Sequence, residues 1–142
     1  MAALIEVQHL KKYFNTPKGQ LHAVDDVSFK IEAGKTMGVV GESGCGKSTL
    51  GRTLIHLQES TDGKILFEGR DITHLNSKEL KELRENAVQI IFQDPYSSLN
   101  PRMTVEETIR EPLYLSKRFG KQQIEKETER LMDLVGLDRR LR

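Results

Sequence analysis

The most informative part of this chain is the stretch GESGCGKST, at residues 41–49. Three of these nine residues are glycine, and a lysine and two hydroxyl side chains follow the last glycine. Glycine has no Cβ, so its backbone can turn and approach another group more closely than other residues allow. Glycines gathered directly in front of a charge therefore predict that main-chain groups contact a ligand.

The stretch fits the pattern G-x-x-x-x-G-K-S/T and lies between a predicted strand and a predicted helix. TMGVVG (36–41) is a short apolar run, typical of a buried central strand, and a helix is predicted from Ser48 to Gln58. The free N–H groups and the positive dipole end at the start of such a helix attract anions. We therefore predict that the loop binds the phosphate chain of a nucleoside triphosphate. The alternative is a glycine-rich turn followed by a polar helix.

Three side chains of the loop have predicted roles. Lys47 adds a full charge, and a charge pair ~4 Å apart at an effective dielectric near 20 contributes ~4 kcal/mol, more than any single amide. Ser48 is expected to offer its hydroxyl to Mg²⁺. Cys45 is interpreted as a small residue that fits the loop rather than as a redox group.

The composition narrows the class of protein. Charged residues make up 30% of the 142 residues and leave a net charge of +1, which does not favour a general polyanion binder such as a nucleic-acid-binding protein. A single cysteine excludes an internal disulfide and a cysteine metal cluster. The apolar runs are far shorter than the ~20 residues that span a bilayer, and no signal peptide is predicted. We expect a cytoplasmic protein.

The remaining elements follow from periodicity. LIEVQHL (4–10) and AVDDVSFKI (23–31) alternate apolar and polar residues, which predicts antiparallel strands in a small β layer. KILFEG (64–69) and VQIIFQ (88–93) are predicted strands, and a helix is predicted to start at Ser77. The order of these predicted strands and helices along the chain predicts an α/β core with a β layer.

The last third of the sequence is predicted to be helical. DPYSSLNPR (94–102) is rich in turn formers and predicts a loop. Thr104 is a predicted N-cap for a helix that extends to Pro112. Apolar spacing predicts another helix over residues 121–135, which Gly136 closes.

Two further stretches narrow the family: LKKYF (10–14) and VQIIFQDPYSSLNPRMTVEETIREPL (88–113). Together with GESGCGKST and AVDDVSF, they resemble the ATP-binding subunits of ATP-binding-cassette (ABC) importers. QDPYSSLNPRMTV resembles the oligopeptide and dipeptide branch, which includes nickel importers. The resemblance covers essentially the whole chain. It implies an α/β P-loop NTPase core of the ABC type, C-terminally truncated, with a β layer (1–35), a P-loop core (36–93) and the start of a helical lobe (94–142).

The resemblance also implies roles for individual residues. Tyr13 matches an aromatic residue that stacks on adenine, and Gln93 matches a glutamine that contacts Mg²⁺ or the attacking water. Lys47 and Gln93 are then the candidate catalytic residues, and Ser48 and Gln93 the candidate Mg²⁺ ligands. The implied ATP-binding set is Tyr13, Gly41, Glu42, Ser43, Gly44, Cys45, Gly46, Lys47, Ser48 and Thr49.

The implied partners are transmembrane permease subunits, contacted through roughly Asp94–Thr104, and a second ATP-binding subunit. The implied location is the cytoplasmic face of the cell membrane, where the protein couples ATP hydrolysis to import of a peptide. A metal or sugar cargo stays open, because cargo specificity resides in other subunits.

The sequence departs from this family after Gly136. It lacks the serine–glycine–glycine signature, an apolar strand ending in Asp–Glu, and any histidine beyond His74. We therefore expect this chain alone to bind ATP or ADP but to hydrolyse ATP negligibly. Without flanking strands, TMGVVG is also expected to expose an apolar edge.

The sequence leaves two alternatives open. The chain could be another P-loop enzyme, a kinase or GTPase, with Asp94 as the Mg²⁺ ligand after an apolar strand. Gln89 and Gln93 interrupt that strand, and N-K-x-D base-reading motifs are absent. The other alternative is a non-catalytic nucleotide-binding module.

Overall fold

A long β-hairpin begins the chain, and its two arms are β1 (Ala3–Thr16) and β2 (Gly19–Glu32). The computed structural model describes residues 3–138, apart from the side chains at positions 95 and 97. β1 also pairs with β3 (Asp62–Phe67), which pairs with the short β4 (Arg70–Asp71). All pairings are antiparallel, and the strand order is β2-β1-β3-β4. The predicted antiparallel pairing of the first two apolar–polar runs is confirmed. The sheet, however, takes two of its strands from beyond the predicted β layer, 1–35.

One face of this sheet carries the core. β1 buries Val7 and Leu10, which lie three residues apart. A register shift between them, where His9 has a φ of 48°, brings both side chains to the core face. β3 adds Ile65 beside them. Leu50, from the first helix, belongs to the same buried cluster. The helix that follows the glycine loop is therefore attached to the sheet by apolar packing, and the loop is held at the end of that helix.

Within residues 3–138, five helices follow the hairpin, and the chain divides into two compact units between Gln89 and Ile90. The first unit holds two helices and the second unit holds three: α1 (Lys47–Leu54), α2 (Ser77–Asn86), α3 (Pro95–Ser98), α4 (Val105–Ser116) and α5 (Lys121–Leu134).

In the second unit, α4 packs against α5, which buries Ile124 and Met132. The predicted cap at Thr104 is confirmed, because its hydroxyl accepts the Glu107 N–H while the Glu107 carboxylate accepts the Thr104 N–H. Across residues 3–138, no helix has the length and apolar character needed to cross a bilayer.

Two predicted strands are wrong. Residues 36–41 and 88–93 have no strand structure, and Val40 and Ile91 are 92% and 96% exposed. A strand is stabilised by a ladder of hydrogen bonds to a neighbouring strand, and neither run has such a ladder in the described part of the chain. An apolar run favours a buried strand only where another strand pairs with it. The expected apolar exposure of TMGVVG is confirmed.

Other element ends also differ from prediction. The first helix ends at Leu54 rather than at Gln58, and His56 has a positive φ of 56°. The strand predicted over 64–69 ends at Phe67, because Glu68 and Gly69 form a turn with positive φ values of 50° and 80° that leads into β4.

In the second unit, the predicted loop over 94–102 contains the short α3. The helix predicted to stop at Pro112 continues to Ser116. A proline inside a helix removes one backbone hydrogen bond but does not prevent the next turn from forming.

Candidate functional site

The glycine loop begins at the end of an exposed segment and leads directly into α1. Gly44 and Gly46 have φ values of 80° and 95°, a backbone conformation that other L-residues rarely adopt. At Gly46 a Cβ atom would also lie 2.0 Å from the carbonyl oxygen of Ala23. Only glycine therefore fits at this position, and the loop is seated directly against the backbone of β2.

The start of α1 is open to a ligand. Gly46 is the N-cap residue, and the helix has no side-chain cap and no acidic residue in its first turn. By contrast, α2 and α4 each have a capping box in which side chains satisfy the first N–H groups. The first turn of α1 thus presents N–H groups and a positive dipole end without a side chain that would compete with an anion.

Lys47 folds back over the mouth of this loop. Its Nζ donates hydrogen bonds to the carbonyl oxygens of Gly41, at 2.9 Å, and Glu42, at 2.6 Å. It also lies 3.7 Å from the Sγ of Cys45. These partners are dipoles and a thiol rather than a carboxylate, so they hold the ammonium group in place without neutralising its charge.

A cavity of about 320 Å³ lies between the loop and the hairpin, a volume within the usual range for small-ligand sites. One wall is formed by the loop and the start of α1, at residues 44–49, and the other wall comes from β1 and β2. The hairpin residues in the lining are Phe14, Leu21, His22 and Ala23. These four were not predicted as site residues. The sequence could have pointed to them only through the pairing register of the hairpin, in which Phe14 lies opposite Leu21.

Tyr13 is not among the residues that line this cavity. Its ring stacks on the His22 ring, with centroids 3.9 Å apart and planes 13° apart, and its hydroxyl donates a hydrogen bond to Asp25. That hydrogen bond is the main reason why the pKa of Tyr13 rises to about 12. The contact of Tyr13 with adenine stays a prediction.

The other predicted site residues divide between the two units. Ser48 and Thr49 line the cavity, whereas Glu42 and Ser43 are exposed on the loop. Gln93 belongs to the second unit, is exposed, and precedes α3. Its contact with Mg²⁺ stays a prediction.

The residues at the loop fit a Mg²⁺ ion that arrives with a nucleotide. Within residues 3–138, no three His, Cys, Asp or Glu side chains converge to hold a metal by themselves. Mg²⁺ in nucleotide sites keeps several waters and uses phosphate oxygens with one or two protein oxygens, so a single hydroxyl at the loop is compatible with such an ion. The contact of Ser48 with Mg²⁺ stays a prediction.

The sequence matches the ABC transporter family over residues 24–141, which includes the loop, α1 and most of the second unit. The chain belongs to the ABC transporter family. It is 50% identical over 139 residues to the oligopeptide transport ATP-binding protein OppF of Bacillus subtilis, covering 96% of this chain and 45% of that protein. It is 42% identical over 140 residues to the dipeptide transport ATP-binding protein DppF of Haemophilus influenzae, covering 94% and 42%.

Solved structures agree on the fold. A dimeric bacterial ABC transporter cassette superposes with a TM-score of 0.81 at 23% identity, over 96% of this chain and 59% of that chain. The structure of cbiO1 from Clostridium perfringens, part of the ABC transporter complex cbiONQ, gives a TM-score of 0.72 at 24% identity, over 97% and 52%. The α/β ABC-type fold is thereby confirmed. The chain spans less than half the length of the two curated relatives described above.

Proposed function

We propose that this chain is the N-terminal part of the ATP-binding, energy-coupling subunit of a peptide ABC importer. The observation that carries the proposal is the uncapped start of α1 beside a glycine loop with the Lys47 ammonium group held at its mouth. This arrangement provides amide donors and one full positive charge for a triphosphate. Membership of the ABC transporter family argues against the alternative that the chain is a kinase or a GTPase.

Each part of the site has its own task in this proposal. The amides at residues 44–49 and the Lys47 ammonium group hold the phosphates, and the Ser48 hydroxyl holds Mg²⁺. Gln93 contacts the same ion or orients the attacking water. The bound ion would neutralise phosphate charge during hydrolysis. Tyr13, Gly41, Glu42, Ser43 and Cys45 complete the proposed ATP-binding set.

The segment Asp94–Thr104 is proposed to contact a transmembrane permease subunit. Tyr96 and Leu99 are 88% and 55% exposed in this segment, and large apolar side chains exposed together are typical of protein interfaces. Asp94 accepts the Tyr96 N–H at the start of α3, which suits a structural role there. The proposed location is the cytoplasmic face of the membrane, bound peripherally and paired with a second ATP-binding subunit.

A peptide is the proposed cargo. The two curated relatives described above carry oligopeptide and dipeptide transport in their names, at 50% and 42% identity. The residues described here do not contact a cargo in this proposal, because the cargo crosses through the permease subunits.

We expect residues 1–142 alone to bind Mg-ATP but to turn it over negligibly. Hydrolysis needs a group that orients water and accepts its proton, and the Gln93 side chain is an amide that orients water but is not a base. In this proposal, residues 1–142 on their own therefore act as a non-catalytic nucleotide-binding module. Phosphate release by the purified chain, lost in Lys47→Ala, would contradict this expectation.

Cys45 provides a direct test of nucleotide binding. Its thiol is exposed and lies in the loop that is proposed to bind phosphate, so Mg-ATP should protect it from a maleimide. Because the chain has one cysteine, the labelled mass reports this site alone. We expect labelling to slow by about tenfold at saturating Mg-ATP, with Mg-AMP as the matched ligand control. Equal labelling rates with and without Mg-ATP would count against the proposed site.

A further inference from the structure

The helix that follows the glycine loop, α1, ends in a turn built around a histidine. The N–H of His56 donates to the Thr53 carbonyl oxygen at 3.1 Å, and the N–H of Leu57 donates to the Arg52 carbonyl oxygen at 2.9 Å. This pair of hydrogen bonds is the Schellman motif, in which the residue with a left-handed backbone is usually glycine. Here that residue is His56, with a φ of 56°. An imidazole ring is therefore held at a position where the backbone favours a residue without a side chain.

A guanidinium group joins this turn to the second helix of the same unit. Arg84, in α2, donates a hydrogen bond from its Nη2 to the His56 carbonyl oxygen at 2.8 Å. The two residues are 28 positions apart in the sequence, so this bond connects the end of α1 with α2. We call His56 and Arg84 the α1–α2 latch.

The His56 ring lies where a positive charge is poorly accommodated. Its side chain is half-buried, and its Nε2 atom is buried without a hydrogen-bond partner in the part of the chain that the structure describes. A protonated imidazole donates from both ring nitrogens, whereas a neutral ring can keep Nε2 unprotonated. Protonation of His56 would therefore bury a charged donor without an acceptor, which costs more free energy than burying the neutral ring.

The charged groups around the ring act in the same direction. Partial burial first, then the charge of Arg84 from α2 and then that of His74 from the segment before α2, lower the pKa of His56 from its ordinary value of 6.5. Arg52 adds a positive charge in the last turn of α1. The carbonyl end of a helix attracts cations, which by itself favours an imidazolium. Because Arg84 and Arg52 already supply positive charge at this end, a third cation gains little.

We propose that the α1–α2 latch is a proton-sensitive device, in which His56 holds the turn in its neutral form and its protonation weakens the contact between α1 and α2. The device acts on the helix that begins at the glycine loop, but it does not depend on the proposed nucleotide-binding function. Since the His56 pKa is lower in the folded chain, the unfolded chain binds this proton more readily. The contribution of His56 to stability is therefore complete above about pH 6.5 and is lost as the pH falls through its folded-state pKa.

Gln58 provides the competing explanation. Its Oε1 atom is also buried without a hydrogen-bond partner among the described residues, two positions beyond His56. If the turn rearranged so that a protonated His56 donated to this oxygen, the new charge-assisted hydrogen bond would stabilise the imidazolium. The two explanations differ in sign, because the latch requires a lowered His56 pKa and the rearranged turn requires a raised one.

The direct test is an NMR titration of the wild-type chain from about pH 5 to about pH 8, the range in which histidine titrates. The chain has four histidines, and His56→Asn identifies the His56 ring signal by its loss. We expect this signal to titrate below pH 6.5 in the wild type. A His56 pKa at or above 6.5 would overturn the inference, and this measurement does not require any variant to remain stable at acid pH.

Urea unfolding at about pH 6.5 and about pH 5.5, followed through NMR signals of the first unit, measures the effect on stability. One extra proton bound by the unfolded chain changes the unfolding equilibrium constant by at most about tenfold per pH unit. We expect acid to lower stability more in the wild type than in His56→Asn, by about threefold in this constant. Asparagine is neutral and adopts the left-handed conformation more readily than most residues, so the turn should be kept. Equal losses in the two proteins would contradict the proposal.

Two further variants separate the causes. His9→Asn is the matched control, because His9 also has a positive φ, 48°, but its ring is exposed and contacts Asp26. It should keep the acid-induced loss of the wild type, and the inference fails if the loss disappears. Arg84→Gln removes the guanidinium charge and should move the His56 pKa toward 6.5. An unchanged His56 titration in Arg84→Gln would show that the two parts of the latch are not coupled.

Discussion

Lys47→Ala should weaken Mg-ATP binding by at least about thirtyfold. A charge pair ~4 Å apart at an effective dielectric of 20 contributes ~4 kcal/mol. We expect about half of that energy in a partly open loop. Since ~1.4 kcal/mol corresponds to a tenfold change in affinity, the expected loss is about thirtyfold. The loss should be similar for inorganic triphosphate, because Lys47 acts on phosphates and not on the base. Calorimetric titration of both ligands measures the effect.

Two matched variants accompany this prediction. Lys78→Ala removes the same charge from an exposed position in the first turn of α2, where alanine suits a helix, and should bind ATP like the wild type. Lys47→Arg keeps the positive charge but loses the compact ammonium group. In the wild type, that ammonium group donates hydrogen bonds to two loop carbonyl oxygens. Equal affinities in Lys47→Ala and Lys78→Ala would show that the loop is not a phosphate site.

Gly46→Ala should disrupt the loop and lower the free energy of unfolding by about 2–5 kcal/mol. The new Cβ would lie 2.0 Å from the Ala23 carbonyl oxygen, and the φ of 95° is strained for alanine. Overpacking typically costs about 1–3 kcal/mol, and a left-handed backbone adds about 1–2 kcal/mol for a residue with a Cβ. Urea unfolding measures the stability, and triphosphate titration should show that binding is lost because the loop has moved away from β2.

Two other glycines separate the causes of this effect. At Gly44 the φ is 80° but a Cβ meets nothing within 4 Å, so Gly44→Ala should cost only the backbone strain, ~1 kcal/mol. At Gly51, inside α1, a Cβ also meets nothing, and Gly51→Ala should raise stability by ~0.5–1 kcal/mol. Stability in Gly46→Ala equal to that in Gly44→Ala would mean that the contact with Ala23 is not rigid.

Local patterns predicted the hairpin and the loop well. Alternation in residues 4–10 and 23–31 reflects which side chains face the core on either side of the irregularities at His9 and Asp26. The hairpin also brings the pairing partner close along the chain. The spacing of glycine and lysine in the loop predicts its conformation, because positive φ values and the start of a helix depend on residues close together in the sequence. The cap at Thr104 was predictable for the same reason.

The two apolar runs at 36–41 and 88–93 could not be predicted in this way. Their side chains resemble those of buried strands, but strand structure also depends on a neighbour that supplies hydrogen bonds, and periodicity carries no information about that neighbour. Likewise, Phe14 and His22 come to the cavity through the long-range placement of the hairpin against Gly46. The stretch LKKYF gave a predicted role to Tyr13 but not to Phe14, and His22 lies outside the motifs that predicted the site.

The almost complete exposure of Val40 and Ile91 should make this polypeptide bind other apolar surfaces when it is outside a larger assembly. Side chains of this kind are what chaperones and hydrophobic dyes bind on partly folded proteins. A solution of these 142 residues should therefore share surface properties with a folding intermediate, even though its hairpin and helices are formed.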